Sequence, residues 1–228
     1  MLIQGFPAQL AGTNCFVVAP GPGEQCVVID PGVGVTGQLD EIISSYGLHP
    51  VAVLLTHGHL DHTFSVLPVC QARDVPAYIH SEDRSALTDP WSTLGLRPGE
   101  PIYGATGLTF AEPDDVRELA DGSHLRLAGL DLVVRHAPGH TRGSVVFDLD
   151  AAALTAGEIG DVLFSGDVLF AGSIGRVDLP GGSMAEMSQS LRTVILPMAD
   201  EVIVLPGHGP QTTIGRERLT NPFLRNLM

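Results

Sequence analysis

Short apolar runs separated by glycine and proline dominate the first third of the chain. The runs 14–19 and 25–30 are rich in valine and other residues that favour strands. Between them, positions 20–23 read Pro-Gly-Pro-Gly, which ends extended structure and lets the chain reverse. The pattern therefore predicts a β-hairpin.

Segments in which apolar residues recur at helical spacing lie between the later strands. The pattern predicts helices over 36–46, 64–72 and 183–196, with Thr36 as the cap of the first and Ser183 as the cap of the last. Because strands outnumber helices and alternate with them, we expect an α/β (α+β) fold with two sheets inside and helices outside, in one domain over 1–228. Further strands are predicted at 51–55, 77–80, 124–128, 131–136, 144–149, 161–165 and 201–205.

The segment 89–107 is rich in proline and glycine and carries Trp91 and Tyr103. The composition predicts a long surface loop. Such a loop could contact a substrate or could simply connect two strands, and the sequence favours neither.

Composition narrows the class of partner. The chain has 12 Lys+Arg against 26 Asp+Glu, a net charge of -14, which disfavours binding to nucleic acid. A hydrophobic fraction of 44% allows a sizeable core, but no window is apolar enough for a membrane span. The N-terminal residues lack a basic segment followed by an apolar one, so we expect a soluble cytoplasmic protein without a membrane partner.

Three cysteines, Cys15, Cys26 and Cys70, lie among apolar residues without regular spacing. An odd number of cysteines argues against a disulfide framework. Buried free thiols are predicted, and a catalytic cysteine is the less favoured alternative.

The most informative segment is 57–62, where His57, His59, Asp61 and His62 lie within six consecutive positions. Imidazole and carboxylate are ligands that divalent metals accept. Neighbouring side chains leave the backbone in different directions, so these four cannot surround one ion. The cluster therefore predicts two metal ions, and the alternative is a histidine-rich surface loop.

Three later residues share one sequence context. His140, Asp167 and His208 each follow an apolar strand and adjoin glycine, which lets the backbone turn sharply at a rigid strand end. Any one of them alone could be a structural turn residue. With the first cluster they make seven candidate ligands, enough for two metals if one carboxylate bridges.

The motifs Thr-His-x-His-x-Asp-His, Pro-Gly-His-Thr, Gly-Asp and Pro-Gly-His follow one another in this order. Their order resembles that of the metallo-β-lactamase superfamily over nearly the whole chain. The resemblance implies a four-layer αββα sandwich with metals at the sheet edges. It implies that His57, His59 and His140 hold one metal, that Asp61, His62 and His208 hold the other, and that Asp167 bridges them.

Within this superfamily the chain is similar to the short, single-domain bacterial branch of glyoxalase II-like hydrolases, through residues 170–182 and 212–223. That similarity implies hydrolysis of S-D-lactoylglutathione, or of an analogous thioester, to D-lactate and a thiol. Arg176 and Asp178 fall where the larger enzymes carry a lysine and a tyrosine that contact the thiol. Their C-terminal helical domain has no counterpart after His208. The similarity thus favours thioester hydrolysis more than glutathione itself, with Arg176 as the candidate substrate-binding residue.

The implied chemistry uses a hydroxide shared by two divalent ions, zinc by preference and iron or manganese otherwise, to attack the thioester carbonyl. Asp61 and Asp167 are then catalytic candidates as well as ligands. Asp30, at a strand end, could orient a ligand histidine or could cap a turn.

The sequence is also compatible with other functions. A persulfide dioxygenase with a single iron shares the ligand set and a similar Gly-Arg-x-Asp stretch, here 175–178. A lactonase, a β-lactamase or a non-catalytic metal-binding module are further alternatives. The oligomeric state is not predicted.

Overall fold

The computed structural model describes residues 1–151 and 160–227, and these residues form two mixed six-stranded sheets. Each sheet keeps its six strands in chain order, so neighbours in sequence are neighbours in space. The first sheet consists, from edge to edge, of β1 (Leu2–Pro7), β2 (Asn14–Ala19), β3 (Gln25–Ile29), β4 (His49–Leu54), β5 (Ala77–His80) and β6 (Val116–Leu119). The second consists of β12 (Thr212–Thr213), β11 (Ile203–Pro206), β10 (Val162–Gly166), β9 (Val145–Leu149), β8 (Leu130–His136) and β7 (His124–Leu127).

Helices connect the strands and cover the outer faces of both sheets. A 3-10 helix spans Ser81–Leu87, and a π-helical turn over Leu191–Ile195 extends the helix that precedes it. The α-helices are α1 (Thr36–Tyr46), α2 (Leu60–Thr63), α3 (Val66–Arg73), α4 (Pro90–Leu94), α5 (Met184–Ser190), α6 (Ile214–Thr220) and α7 (Pro222–Arg225).

Alternate residues of the strands face two different cores. On β2, Phe16 and Val18 pack in the core between the sheets, whereas Val17 packs with Leu39 of α1 on the outer side. Phe16 meets Phe164 of the second sheet edge to face, with ring centroids 5.3 Å apart. Because both faces of these strands are buried, their sequences read as continuous apolar runs.

The outer face of the second sheet is covered in the same way. Met187 of α5 and Ile214 of α6 pack against Leu163 and Val204, and all four side chains are buried. The layers are therefore helix, sheet, sheet and helix, and the predicted αββα sandwich is confirmed.

Several local predictions are also confirmed. β2 and β3 pair antiparallel as the predicted hairpin, the first helix spans Thr36–Tyr46, and Ser183 caps α5 by accepting from the N–H of Glu186. The predicted cap of the first helix is wrong, because Val35 occupies the N-cap position and Thr36 is the first helical residue. The three cysteines are buried and free. No helix in the described part of the chain is both long and apolar enough to cross a bilayer.

Two expectations were incomplete or wrong. Neither edge strand of the first sheet, β1 or β6, was predicted, because a strand with one exposed face lacks a continuous apolar run. The segment 89–107 is not simply a surface loop. It contains α4, and Trp91 is only 8% exposed because it packs with Leu60 and Ile102 in a separate apolar cluster.

Strand direction brings the loops of both sheets to one edge of the sandwich. β3 and β4 are parallel in the first sheet. In the second sheet β10 and β11 are parallel. β8 runs in the same direction as β10, because both β8 and β10 are antiparallel to β9. The segments that follow these strands carry the candidate ligands.

Candidate metal centre

All seven candidate ligands lie at this shared edge. The segment with His57 follows β4, His140 follows β8, Asp167 follows β10 and His208 follows β11. In the described residues, ligand atoms within 4.8 Å of one another form three groups: His57, His59 and His140; His57, His62 and Asp167; and Asp61, His62 and His208. The first and third groups are the two ligand sets that the sequence resemblance implies.

The first group is completely enclosed by protein. His140 Nε2 lies 2.8 Å from His59 Nδ1 and 3.2 Å from His57 Nε2. The three imidazoles are buried, with exposures of 4% or less. Three ring nitrogens thus converge on one point.

The other group reaches the surface through His208 and, to a smaller extent, through Asp61, whose side chain is 17% exposed. His208 Nε2 lies 3.1 Å from Asp61 Oδ2 and 3.3 Å from His62 Nε2. The His208 side chain is 28% exposed, whereas that of His62 is completely buried. Solvent and small molecules therefore reach the site from the side of His208.

Asp167 lies between the two groups. Its Oδ1 is 3.3 Å from His62 Nε2, and its Oδ2 is 3.5 Å from both His140 Nε2 and His208 Nε2. Oδ1 is buried and receives no hydrogen bond from the described part of the protein. A buried carboxylate oxygen without a donor is costly unless a cation takes that place.

On three of the histidines, a contact of Nδ1 on the far side of the ring turns Nε2 toward the centre of the site. Thr56 Oγ1 donates to Asp30 at 2.6 Å, so at 3.1 Å it accepts from His57 Nδ1. His62 Nδ1 donates to Asp30 Oδ2 at 2.9 Å, and His140 Nδ1 donates to the carbonyl of Arg176 at 2.7 Å. In the neutral form of each of these histidines Nε2 carries the lone pair, and lone pairs this close together suit a metal ion rather than each other.

The electric field of the site also favours cations. Burial and the neighbouring histidines lower the pKa of His59 to about 3, which keeps it neutral and able to bind a metal. Burial alone would raise the pKa of Asp61, but His62 and hydrogen bonds from His208 and Thr13 hold it well below its usual range. Burial opposes the charge on His62, yet the carboxylates of Asp61, Asp167 and Asp30 raise its pKa.

Asp83 holds the ligand loops together, and no sequence motif pointed to it. Its Oδ2 accepts from the N–H of Gly58 at 2.8 Å and from the hydroxyl of Thr141 at 2.6 Å. Its Oδ1 accepts from the N–H of Gly143 at 2.8 Å. One buried carboxylate thus joins the loop of His57 and His59 to the loop of His140.

Thr13 is a second supporting residue that the sequence did not reveal. Its hydroxyl donates to Asp61 Oδ2 at 2.8 Å, and its backbone bridges to that of His208. Next to it, the side-chain amide of Asn14 donates to the carbonyls of Pro206 and Gly209 at 3.0 and 2.9 Å. The β1–β2 turn thereby fixes the exposed side of the site.

Arg176, the predicted substrate-binding residue, contacts the site through its backbone carbonyl. Its carbonyl orients His140, while its exposed guanidinium donates to Asp178 at 2.8 and 2.7 Å. The guanidinium therefore already has a carboxylate partner.

Known proteins are similar to this sequence over its full length. An uncharacterized protein of Mycobacterium tuberculosis is 46% identical over 228 residues, which cover 100% of this chain and 99% of that protein. The hydroxyacylglutathione hydrolase GloC of Haemophilus influenzae is 33% identical over 226 residues, which cover 99% of each chain.

Solved structures share the fold and much of the sequence. The BLEG-1 B3 metallo-beta-lactamase is 36% identical, with a TM-score of 0.84 over 98% of this chain and 99% of that one. The di-iron-bound form of TTHA1623 is 37% identical, with a TM-score of 0.77 over 97% and 100% of the two chains. The family model described as Metallo-beta-lactamase superfamily matches residues 9–208. With a matching model, full-length relatives and the same fold, this chain belongs to the metallo-β-lactamase superfamily.

Proposed function

We propose that the protein is a dinuclear metal-dependent hydrolase of small acyl thioesters, of the glyoxalase II type. The observation that carries the proposal is that two groups of three ligand atoms converge on one buried carboxylate, Asp167. The full-length similarity to a hydroxyacylglutathione hydrolase supports the thioester as the substrate class.

Seven side chains would hold the metals. Imidazole and carboxylate donors suit zinc, iron and manganese alike, and we propose zinc as the physiological ion. Two divalent ions bound here would supply a nucleophile at neutral pH and a Lewis acid for the carbonyl oxygen. The proposed ligands are His57, His59 and His140 for one ion, Asp61, His62 and His208 for the other, and Asp167 between them.

The protein's own groups orient the reaction. The carboxylate of Asp61 is fixed by Thr13, so it can orient an attacking water by accepting a hydrogen bond from it. The partly exposed His208 marks the side from which the thioester enters. The leaving thiolate needs no general acid, because thiol pKa values lie near ~8.5.

The test is hydrolysis of S-D-lactoylglutathione by the metal-loaded protein, with D-lactate as the measured product. We expect turnover that a chelator abolishes and that added Zn²⁺ restores. Absence of D-lactate from a protein with two metals per chain would contradict the proposal. Oxygen consumption with glutathione persulfide, by a protein with one iron per chain, would instead identify a dioxygenase.

Hydrolysis of a β-lactam is the second candidate. The observation that favours it is the similarity to the BLEG-1 B3 metallo-beta-lactamase, at 36% identity over nearly the whole of both chains. A chromogenic cephalosporin assayed with the same metal-loaded preparation separates the two. We expect kcat/KM for the thioester to exceed that for the cephalosporin, and the reverse ratio would reassign the function.

A further inference from the structure

Glu217 of α6 is a buried carboxylate outside the candidate ligand set, with an exposure of 1%. Its Oε1 accepts a hydrogen bond from the hydroxyl of Thr212 at 2.6 Å. Its Oε2 accepts from the N–H of Gly172 at 2.7 Å and from the side-chain amide of Asn221 at 3.0 Å. Because all three neighbours donate, a carboxylate, which only accepts, satisfies them together.

Two of these donors belong to segments that carry candidate ligands. Thr212 lies four positions after His208, and Gly172 lies five positions after Asp167. The two segments follow β11 and β10, which are parallel neighbours in the second sheet. Glu217 therefore joins the two segments where they leave the metal centre.

Asn221 holds one of these segments at a second point. It is completely buried, and its side-chain amide also donates to the carbonyl of Ser173 at 3.0 Å. Phe170 and Ser173 close a tight turn over 170–173, in which the N–H of each donates to the carbonyl of the other, at 3.0 and 3.4 Å. Glu217 and Asn221 together therefore fix the geometry of this turn.

The turn places the ring of Phe170 against His208, with ring centroids 5.9 Å apart and an angle of 88° between the planes. His57, His62 and His140 are each oriented by a partner of Nδ1. In the described part of the chain, His208 contacts other ligands through Nε2, and its Nδ1 has no hydrogen-bond partner. The ring of His208 therefore depends on packing against Phe170, rather than on a hydrogen bond of Nδ1, for its orientation.

We propose that Glu217 is a positioning residue of the metal centre, and that it acts on His208 through the turn 170–173 and the ring of Phe170. Loss of this acceptor would leave buried donors of the turn unpaired, so the turn would shift and Phe170 would move away from His208. Asp83 connects the loops of the other ligand group, so the two sides of the centre depend on two different buried carboxylates. The proposal rests on the proposed function only in taking these side chains as metal ligands.

The experiment measures metal affinity by competition between the purified protein and a chelator for Zn²⁺. Glu217→Gln places an amide opposite three donors and should lower the affinity for the most weakly bound ion about 10- to 100-fold, as for other orienting partners of ligand histidines. Thr212→Val removes one hydrogen bond of Glu217 and should lower the same affinity less, which keeps the test available if Glu217→Gln does not fold. Arg218→Met is the matched control and should leave the affinity unchanged. Arg218 lies on the same helix, but it donates to the carbonyls of Leu196 and Met198, at 2.9 and 2.7 Å, and not to the turn.

A double variant separates positioning from a general loss of structure. Phe170→Ala removes the half-buried ring and should lower the affinity by itself. If Glu217 acts through Phe170, adding Glu217→Gln or Thr212→Val to Phe170→Ala should cost no further affinity, since the effects of coupled residues do not add.

Additive losses would overturn the proposal, as would an equal loss in Arg218→Met or unchanged affinity in both Glu217→Gln and Thr212→Val. These measurements involve no substrate. Failure to hydrolyse S-D-lactoylglutathione would therefore contradict the proposed function and leave the result for Glu217 standing.

Discussion

Asp30 Oδ2 lies 2.9 Å from His62 Nδ1, and both side chains are almost completely buried. Asp30 also accepts from the N–H and the hydroxyl of Thr56, at 2.8 and 2.6 Å. It occupies the left-handed region, with φ of 50°, directly after β3. From this strained position at the end of β3, Asp30 orients His62 directly and His57 through Thr56. Both histidines lie on the segment that follows β4.

The first prediction concerns Asp30→Asn. Asparagine tolerates the left-handed conformation, but its amide cannot accept from all three donors. We expect affinity for the metal ion that His62 is proposed to bind to fall about 10- to 100-fold, since orienting partners of ligand histidines contribute that much. Competition with a chelator measures the affinity, and Asp114→Asn on the surface is the control. Unchanged affinity would leave Asp30 as a turn residue only.

The second prediction concerns Asp83, which connects two loops that carry candidate ligands. Asp83→Asn places an amide opposite backbone and hydroxyl donors, so at least one of them loses its acceptor. We expect the free energy of unfolding of the metal-stripped protein to fall by about 2–4 kcal/mol. Thr141→Val, which removes one of these hydrogen bonds, should cost about 1 kcal/mol.

Urea unfolding measures both variants, and Asp89→Asn is the control. Asp89 caps α4, and asparagine caps helices as well as aspartate does. If Asp83→Asn proves no more destabilising than Asp89→Asn, then Asp83 does not join the loops.

Local pattern sufficed for much of this molecule. Apolar runs bounded by glycine and proline located most strands. Four ligand candidates stood out because they lie within six consecutive positions, and the other three because each follows such a run. The same rule, that a turn after a buried strand presents side chains at the sheet edge, placed Asp30 beside the site. These features depend on residues that are close in sequence.

The supporting residues depend on contacts between distant segments, and for this reason the sequence did not reveal them. Asp83 lies 58 positions from Thr141, and Thr13 lies 48 from Asp61. Neither has a motif of its own. Trp91 was likewise placed in a surface loop, because its burial against Leu60 comes from tertiary packing rather than local periodicity.

The third prediction tests the bridging role of Asp167. Asp167→Asn keeps the size of the side chain and removes its negative charge. If the wild type holds the two ions proposed, we expect the metal content to fall to one ion per chain or fewer, and kcat/KM to fall at least about 1000-fold, as several kcal/mol of stabilisation are lost. Elemental analysis of the purified protein measures the first quantity. Retention of two ions per chain would exclude a bridging role.

The fourth prediction concerns Arg176. If its guanidinium binds a substrate carboxylate, Arg176→Ala should raise KM about 3- to 10-fold with little change in kcat. The effect stays small because Asp178 competes for the guanidinium. Asp178→Asn should then lower KM. Stability should change little in either variant, since the pair is exposed. Kinetics indistinguishable from the wild type in both variants would remove Arg176 from the substrate site.

The fifth prediction compares two glycines, one crowded by ligand side chains and one open to space. A Cβ at Gly207 would lie 2.2 Å from Asp167 Oδ1 and 2.7 Å from His62 Cε1, whereas one at Gly37 in α1 would meet nothing within 4 Å. Gly207→Ala should therefore displace both ligands and abolish metal binding and activity. Gly37→Ala should keep both and stabilise the fold by up to about 1 kcal/mol, because alanine restricts the unfolded chain. A Gly207→Ala protein with full metal content would show that the site can expand, and that Asp167 and His62 are held less rigidly than their hydrogen bonds indicate.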